Sequence, residues 1–312
     1  MPRHDLIAIL PDAGAPALGP EMTLVSALGF SAVMTSKPRQ VITLPQSRKQ
    51  VLQAAATRQA QLERLMPFGP VLPVRPGNTT DPDTIAATLR ANLPLLHDLT
   101  DWLGGLWQYQ LTVNWPPDEA LRHFRDTPEL APVFGTSPVQ APVLSRAVTD
   151  LSNRLRQQMR QILDPVLSDV IAQPVTPEVL LNLAVLIPHT AEAELDVALR
   201  QIDAIWSEGF TIRQIGPSPA TSFALLDLCP VDRQSLADAH QVLGMGKIYE
   251  GDISQARRQA LMQPGADAEA IRNAAQVLYA SRRAGDPGTA FALLRIASQD
   301  QGTAIHHKAA VA

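Results

Sequence analysis

The sequence predicts an α+β protein with two domains, on the basis of three observations. Short apolar runs closed by proline or glycine are typical of strands, and they recur in both halves of the chain. Longer stretches carry apolar residues at three- and four-residue steps, which is typical of amphipathic helices. A proline-rich stretch, residues 115–142, separates the halves. We therefore predict an N-terminal α+β domain (1–115), a proline-rich linker (116–145), a modified ferredoxin-like domain with a preceding amphipathic helix (146–230), and a helical C-terminal extension and tail (231–312).

The first domain begins with short apolar runs. Residues 6–10 and 30–34 are predicted strands because each is too short for a helix and ends near a proline or glycine. Residues 46–66 follow a helical period. Another strand is predicted at 71–75.

A helix then begins after Asp81, a suitable N-cap, with Pro82 in its first turn. The next segment alternates apolar and polar residues with a period of two, which predicts an antiparallel strand with one buried face. Its apolar residues are Trp107, Tyr109, Leu111 and Val113.

The second half has an order of elements that suggests a ferredoxin-like domain. A strong amphipathic helix at 148–162 precedes an almost wholly apolar strand at 179–187. A helix at 195–206 and strands at 210–215 and 222–228 follow. This order lacks one helix and one strand of the split βαβ arrangement. After Pro230 we predict helices only, at 236–243, 253–262, 268–282 and 289–298, and then a loose tail.

Composition excludes several classes of function. The 26 Lys and Arg residues against 30 Asp and Glu give a net charge of −4, which offers no basic field for nucleic acid. A single cysteine, Cys229, excludes an intrachain disulfide and a cysteine metal cluster. No apolar window is long enough to span a bilayer, and the start lacks the apolar stretch of a signal peptide, so we expect no membrane and a cytoplasmic location. Charged residues make up only 18%, which favours association with other proteins.

The sequence shows no motif that predicts catalysis, a cofactor or a metal. Phosphate-binding glycine loops, zinc-protease helices and nucleophile elbows are all missing. One group could support a hydrolase: His189 at the end of a predicted central strand, with Glu192 and Glu194 nearby. The simpler explanation is that the two acids occupy the first turn of a helix, where the dipole favours negative charge.

Two proline-containing motifs stand out, and both suggest architecture. In residues 71–77 the prolines indicate a strand edge or a bulge, where Arg75 is expected to hold a turn by pairing with a carboxylate or with backbone carbonyls. Residues 216–219, Gly-Pro-Ser-Pro, form a stiff connector between strands.

At these motifs the sequence resembles the gas vesicle GvpF/GvpL family. Residues 72–77, Leu-Pro-Val-Arg-Pro-Gly, are similar to its Leu-Pro-Val-Arg-Phe-Gly segment. Residues 182–187, Asn-Leu-Ala-Val-Leu-Ile, resemble its Asn-Leu-Ala-Phe-Leu-Val strand, and residues 216–223 resemble Gly-Pro-Trp-Pro-Pro-Tyr-Ser-Phe. The chain departs from the family pattern at Pro76, at Gln108 in place of an acid, and at Ser218 and Thr221 in place of Trp and Tyr. This marks a divergent member.

The resemblance implies a non-enzymatic accessory or minor structural protein of the gas vesicle, without a cofactor. Such a protein would assist wall assembly by binding the main wall protein and other vesicle proteins. Two alternatives remain open: a ferredoxin-like regulatory module that binds a small molecule, and the hydrolase above. The motif residues, implied to be structural or partner-binding, are Leu72, Pro73, Arg75, Gly77, Asn182, Leu183, Gly216, Pro217, Pro219 and Phe223.

Overall fold

The chain forms two compact units in the structure, a computed structural model. One unit joins Met1–Gly104 to Ala224–Ser298, and the other contains Gly105–Phe223. The structure describes residues 3–12, 18–36, 47–134, 141–245, 252–286 and 288–297. These units differ from the predicted segments, because the chain returns to its first unit after completing the second.

Strands and helices follow one another along both units. The strands are β1 (His4–Pro11), β2 (Met22–Ala27), β3 (Phe30–Thr35), β4 (Leu72–Pro73), β5 (Thr79–Thr80), β6 (Leu106–Asn114), β7 (Asp169–Ala172), β8 (Val179–Pro188), β9 (Thr211–Ser218), β10 (Leu226–Val231) and β11 (Phe291–Ile296). The helices are α1 (Arg48–Glu63), α2 (Pro82–Ala91), α3 (Leu93–Leu103), α4 (Pro117–His123), α5 (Ala131–Phe134), α6 (Ala141–Leu163), α7 (Glu192–Asp203), α8 (Arg233–Val242), α9 (Ile253–Leu261) and α10 (Ala268–Ala284). None of the helices in the described ranges is long and apolar enough to cross a membrane.

The first unit contains an antiparallel sheet of order β2-β3-β1-β4, and β5 also pairs with β1. The strands predicted at 6–10 and 30–34 are confirmed as β1 and β3. β2 was not predicted, because its residues form neither a continuous apolar run nor a strict alternation of apolar and polar residues. It joins β3 through Leu28 and Gly29, whose φ angles of 50° and 81° give the left-handed turn that suits a two-residue hairpin.

Arg58 of α1 fixes this helix to the sheet. The ladder between β1 and β3 shifts register between Leu6 and Ala8. The Arg58 Nη2 group donates hydrogen bonds to the carbonyl oxygens of Leu6 (2.6 Å), Ile7 (2.9 Å) and Val74 (2.7 Å). Burial lowers the pKa of Arg58 to about 10, and the charge of Asp5 opposes part of that shift. The guanidinium therefore remains charged at neutral pH and stabilises carbonyl groups at the irregular part of the strand.

Helices α2 and α10 pack closely because small residues face each other between them. Ala87, Ala91, Ala280 and Ala284 form one buried cluster with Phe291 and Leu293. The Arg90 Nε–H donates to the carbonyl oxygen of Ala284 (3.0 Å), and the Arg283 Nε–H donates to that of Ala91 (3.0 Å). Each helix thus supplies a cation to the C-terminal carbonyls of the other, where unpaired carbonyls and the dipole favour positive charge.

Side chains of α2 and its C-cap complete the free edge of β11. One edge of β11 pairs with β10. On the other edge, the Ala292 N–H donates to the Thr88 hydroxyl oxygen (3.0 Å), and the Leu294 N–H donates to Asn92 Oδ1 (2.9 Å). The Asn92 amide donates to the carbonyl oxygen of Ala292 (2.8 Å). Because all these groups are buried, they substitute for the backbone partner that an added strand would supply.

The C-terminal segment is part of the first unit and does not form the predicted separate extension. The predicted helices at 236–243, 253–262 and 268–282 are present as α8, α9 and α10. The prediction of a helix at 289–298 is wrong, because its apolar residues form the strand β11. The predicted tail lies outside the described residues from residue 298 onward.

The second unit has the element order β6-α6-β7-β8-α7-β9, with α4 and α5 between β6 and α6. Its four strands form an antiparallel sheet of order β7-β8-β6-β9. This is the ferredoxin-like βαββαβ arrangement. The predicted ferredoxin-like fold is present, but its first strand is β6, which the predicted boundary at residue 115 places in the N-terminal domain. The strand predicted at 222–228 is β10, which belongs to the other unit.

The core of the second unit includes part of the predicted linker. Residues 116–145 contain α4 and α5. Phe124, Leu130 and Val133 are buried in the same cluster as Leu111 of β6 and Leu155 of α6. Pro116, Pro117 and Pro132 therefore lie at the starts of short helices that cover the core, and the described part of the segment is not a linker.

We predict that Asn92→Ala lowers the free energy of unfolding by about 2–4 kcal/mol, because it leaves a buried N–H and a buried carbonyl of β11 without a partner. Urea unfolding measures this effect. Asn273→Ala, at an exposed position of α10, is the matched control and should change little. Equal effects of the two variants would contradict the role given to Asn92.

Candidate functional site

His189, the centre of the hydrolase hypothesis, lies directly after β8 and is exposed. Its ring lies against Trp107 with the ring centroids 5.7 Å apart. Its Nδ1 atom is 3.0 Å from the carbonyl oxygen of Gly105, which also accepts a bond from the His189 backbone N–H. These contacts hold the residues that follow β8 against the start of β6.

The two glutamates near His189 occupy the first turn of α7, as predicted from the helix dipole. Glu192 accepts a hydrogen bond from the hydroxyl of the buried Tyr109 (3.0 Å). Burial raises the pKa of Tyr109, and the bond to Glu192 and its charge raise it further, so the phenol stays protonated. Glu192 thus has a structural partner. In the part of the chain that the structure describes, no group of three or more His, Cys, Asp or Glu residues could hold a metal ion.

The first family motif forms β4 and the turn after it. Leu72 and Pro73 are buried opposite β1. The chain then turns over residues 75–78, where the Asn78 N–H donates to the carbonyl oxygen of Arg75 (3.3 Å). Pro76 is the second residue of this turn, and Gly77 is the third with a φ of 97°. This is the pattern of a type II turn, which favours proline and glycine at these positions.

This turn is attached to β10. The Arg75 Nε atom lies 3.0 Å from Asp227 Oδ1, which is the carboxylate pairing predicted for this arginine. The Arg75 backbone N–H donates to the carbonyl oxygen of Leu226 (2.8 Å). Asn78 Oδ1 accepts from the Leu228 N–H (3.2 Å). The motif therefore gives the outer edge of β10 hydrogen-bond partners within the first unit.

The second motif contributes to both faces of the ferredoxin-like sheet. Leu183 is buried in the core of the second unit. Asn182 points to the opposite face, where its Oδ1 atom accepts bonds from the Gln110 amide and the Thr112 hydroxyl. Its Nδ2 group donates to the carbonyl oxygen of Pro174 (3.0 Å). Asn182 thus joins β8 to β6 and to the loop before β8.

The third motif forms a bulge at the end of β9. The register of β9 against β6 shifts around Tyr109, where Gly216 has a φ of 143° and a cis bond to Pro217. A Cβ atom on Gly216 would lie 2.8 Å from the carbonyl oxygen of Gln108 and 2.8 Å from the Tyr109 ring. The backbone angle and the close approach both require glycine. Further along the motif, Pro219 and Phe223 are buried, and Pro217 is half-buried.

Three departures from the family pattern lie together in the structure. The buried Gln108 accepts the Ser222 N–H through its Oε1 atom (2.8 Å), and its amide lies 3.4 Å from the Thr221 hydroxyl. The Ser218 hydroxyl donates to the carbonyl oxygen of Gln108 (3.2 Å). Hydrogen bonds through side chains and through the Gln108 backbone thus join three positions at which this chain departs from the family pattern. The fourth departure, Pro76, is exposed and suits its turn.

The fold defines this chain as a two-unit α+β protein with one ferredoxin-like unit. A family model described as gas vesicle synthesis protein GvpL/GvpF matches residues 13–224. Because this is more than half of the chain, the protein belongs to the GvpL/GvpF family. The matched range contains all three motifs and ends before β10, α8, α9, α10 and β11.

Solved structures agree with this assignment at the level of the fold. The gas vesicle protein GvpF from Anabaena sp. PCC7120 is 19% identical, with a TM-score of 0.58 over 72% of this chain and 98% of that one. GvpF from Microcystis aeruginosa is 19% identical, with a TM-score of 0.56 over 72% of this chain and 99% of that one. A comparison with curated proteins found no match.

Sequence reasoning missed the polar residues that join the elements. Arg58, Thr88 and Asn92 belong to no motif, although each bonds to backbone groups far away in the chain. One weak signal was present for two of them. Thr88 and Asn92 lie four residues apart beside the apolar stripe of Ile85 and Leu89, where a polar residue needs a buried partner.

We predict that Gly216→Ala destabilises the protein by more than about 2 kcal/mol, because the new methyl group meets a backbone oxygen and the φ angle suits only glycine. Gly244→Ala is the matched control. Gly244 also has a positive φ, 63°, but nothing lies within 4 Å of its Cβ position, so its cost should be about 1 kcal/mol. Denaturant unfolding compares the two variants, and a Gly216→Ala variant as stable as the control would refute the crowding.

Proposed function

We propose that this chain is an accessory or minor structural protein of the gas vesicle that assists wall assembly without catalysis. It does so in the cytoplasm by binding the main wall protein and other vesicle proteins. The observation that supports this proposal is the family match over residues 13–224. The role of the motifs agrees with it, because their residues serve in turns, a bulge and strand joints instead of in a reactive group.

A physical requirement of wall assembly supports the same function. A small protein that polymerises through apolar surface must be kept from premature association, because exposed strand edges and apolar faces aggregate. A partner with a weakly charged surface and exposed aliphatic side chains can cover such faces without chemistry. This chain carries 18% charged residues, and its exposed aliphatic side chains include Val51, Leu52 and Val197.

The proposal predicts co-purification of this chain with the main wall protein. An affinity tag on the chain should retain the wall protein after co-expression, and Gly216→Ala, a destabilised variant, should retain less. Failure of the tagged wild-type chain to retain any vesicle protein would count against the function. A large thermal stabilisation by one metabolite would instead favour the small-molecule module.

A second prediction decides whether Arg75 is structural or partner-binding. The ion pair between Arg75 and Asp227 is partly solvent-exposed, at 47% and 29% of the two side chains, so Arg75→Ala should lower the free energy of unfolding by less than about 1 kcal/mol. We expect this variant to bind vesicle proteins as the wild type does, because Arg75 faces β10. Asp227→Ala is the matched control for the ion pair. Lost binding in Arg75→Ala alone, with stability unchanged, would assign Arg75 to the partner surface.

A further inference from the structure

The N-terminal half of α1 is a helix without a buried face. Every residue from 47 to 57 is exposed, including Val51 at 52% and Leu52 at 61%. Its contacts to other described residues lie in its second half, where the Arg58 bonds and the buried Leu62 anchor it. A surface helix normally buries an apolar stripe, and a helical stretch of this length is marginal without packing. This half therefore presents aliphatic side chains that a partner could cover.

The charges of this half are unfavourable for the helix itself. Arg48 and Lys49 lie in the first turn, which contains no acidic residue. The positive end of the helix dipole lies there, so two cations cost stability, whereas other helices of the chain carry acids at this place, as α7 and α10 do. Arg48, Val51, Leu52 and Ala55 follow i, i+3, i+4 and i+7 spacing and share one side of the helix. We call this side the basic face of α1.

The outer side of α7 has the complementary character near its start, with Arg200 as the one exposed base one turn after Val197 in this described helix. This helix buries Leu195, Ala198, Leu199 and Ile202. Opposite them it exposes Ala193 and Val197, the latter at 45%, one turn apart. Glu194 and Asp196 are exposed on either side of that stripe. We call these four residues the acidic face of α7.

We propose that the basic face of α1 in one copy of this chain docks on the acidic face of α7 in a second copy. Val51 and Leu52 would pack on the Ala193–Val197 stripe, with Arg48 and Lys49 beside its carboxylates. Two α1 faces cannot pair in this way, because both are basic. The two docking surfaces are different, so two copies can form this contact once or, reciprocally, twice. This self-association goes beyond the proposed function and needs no wall protein.

Charge reversal on full-length protein tests the proposal by analytical ultracentrifugation without any vesicle protein. We expect concentration-dependent association at low salt that weakens at high salt. Arg48→Glu with Lys49→Glu, and separately Glu194→Lys with Asp196→Lys, should each weaken it roughly tenfold or more. The combined fourfold variant should restore association, because both faces change sign together.

The same design separates loss of docking from loss of folding. Glutamates in the first turn favour the helix, so Arg48→Glu with Lys49→Glu should keep or raise the thermal stability while association falls. Arg257→Glu with Arg258→Glu, an equal charge change on the exposed side of α9, is the matched control and should leave association unchanged. A wild-type monomer at all concentrations, an equal loss in the control, or no restoration in the fourfold variant would each overturn the proposal.

Discussion

The first unit depends on a small set of hydrogen bonds between a helix and a strand from opposite ends of the sequence. Thr88 and Asn92 satisfy the backbone of β11, whose other edge pairs with β10. A buried strand edge without such partners would cost several kcal/mol, so the strand pair of β10 and β11 needs them. Helices α2 and α10 also lie close together in this unit. Their alanine residues pack against each other, and an arginine of each helix bonds to the end of the other. The final third of the chain thereby becomes part of the domain begun by the first third.

The sequence predicts single elements well and their partners poorly, for a physical reason. The alternation in residues 106–114 identifies β6 as a strand, but nothing local shows that β8 and β9 are its neighbours. The predicted domain boundary therefore falls after β6, although this strand begins the second unit. The error at β11 has a related cause, since a short apolar run becomes a strand or a helix according to the surface that it meets. Here that surface is β10 and α2.

For the motif residues too, local features could be predicted from the sequence and distant partners could not. The carboxylate partner of Arg75 and the turn at Gly77 follow from residue chemistry at a strand edge, and both could be predicted from the sequence. The cluster of Gln108, Ser218 and Thr221 could not, because Gln108 lies more than a hundred residues from the other two. Seen one at a time they are departures from the family pattern; in space they are neighbours that hydrogen bonds join.

The return of the chain to its first unit has a consequence for synthesis. In the described part of the chain the ferredoxin-like unit is one continuous segment, so its elements are complete once residue 223 has left the ribosome. The first unit is interrupted in sequence. Its helix α2 is covered only after α10 and β11 have been synthesised, because α2 packs against them. A chain cut where the family match ends would leave the alanine side of α2 bare. During synthesis, the interval between the emergence of α2 and that of β11 is therefore the time when this apolar surface of the chain has no cover.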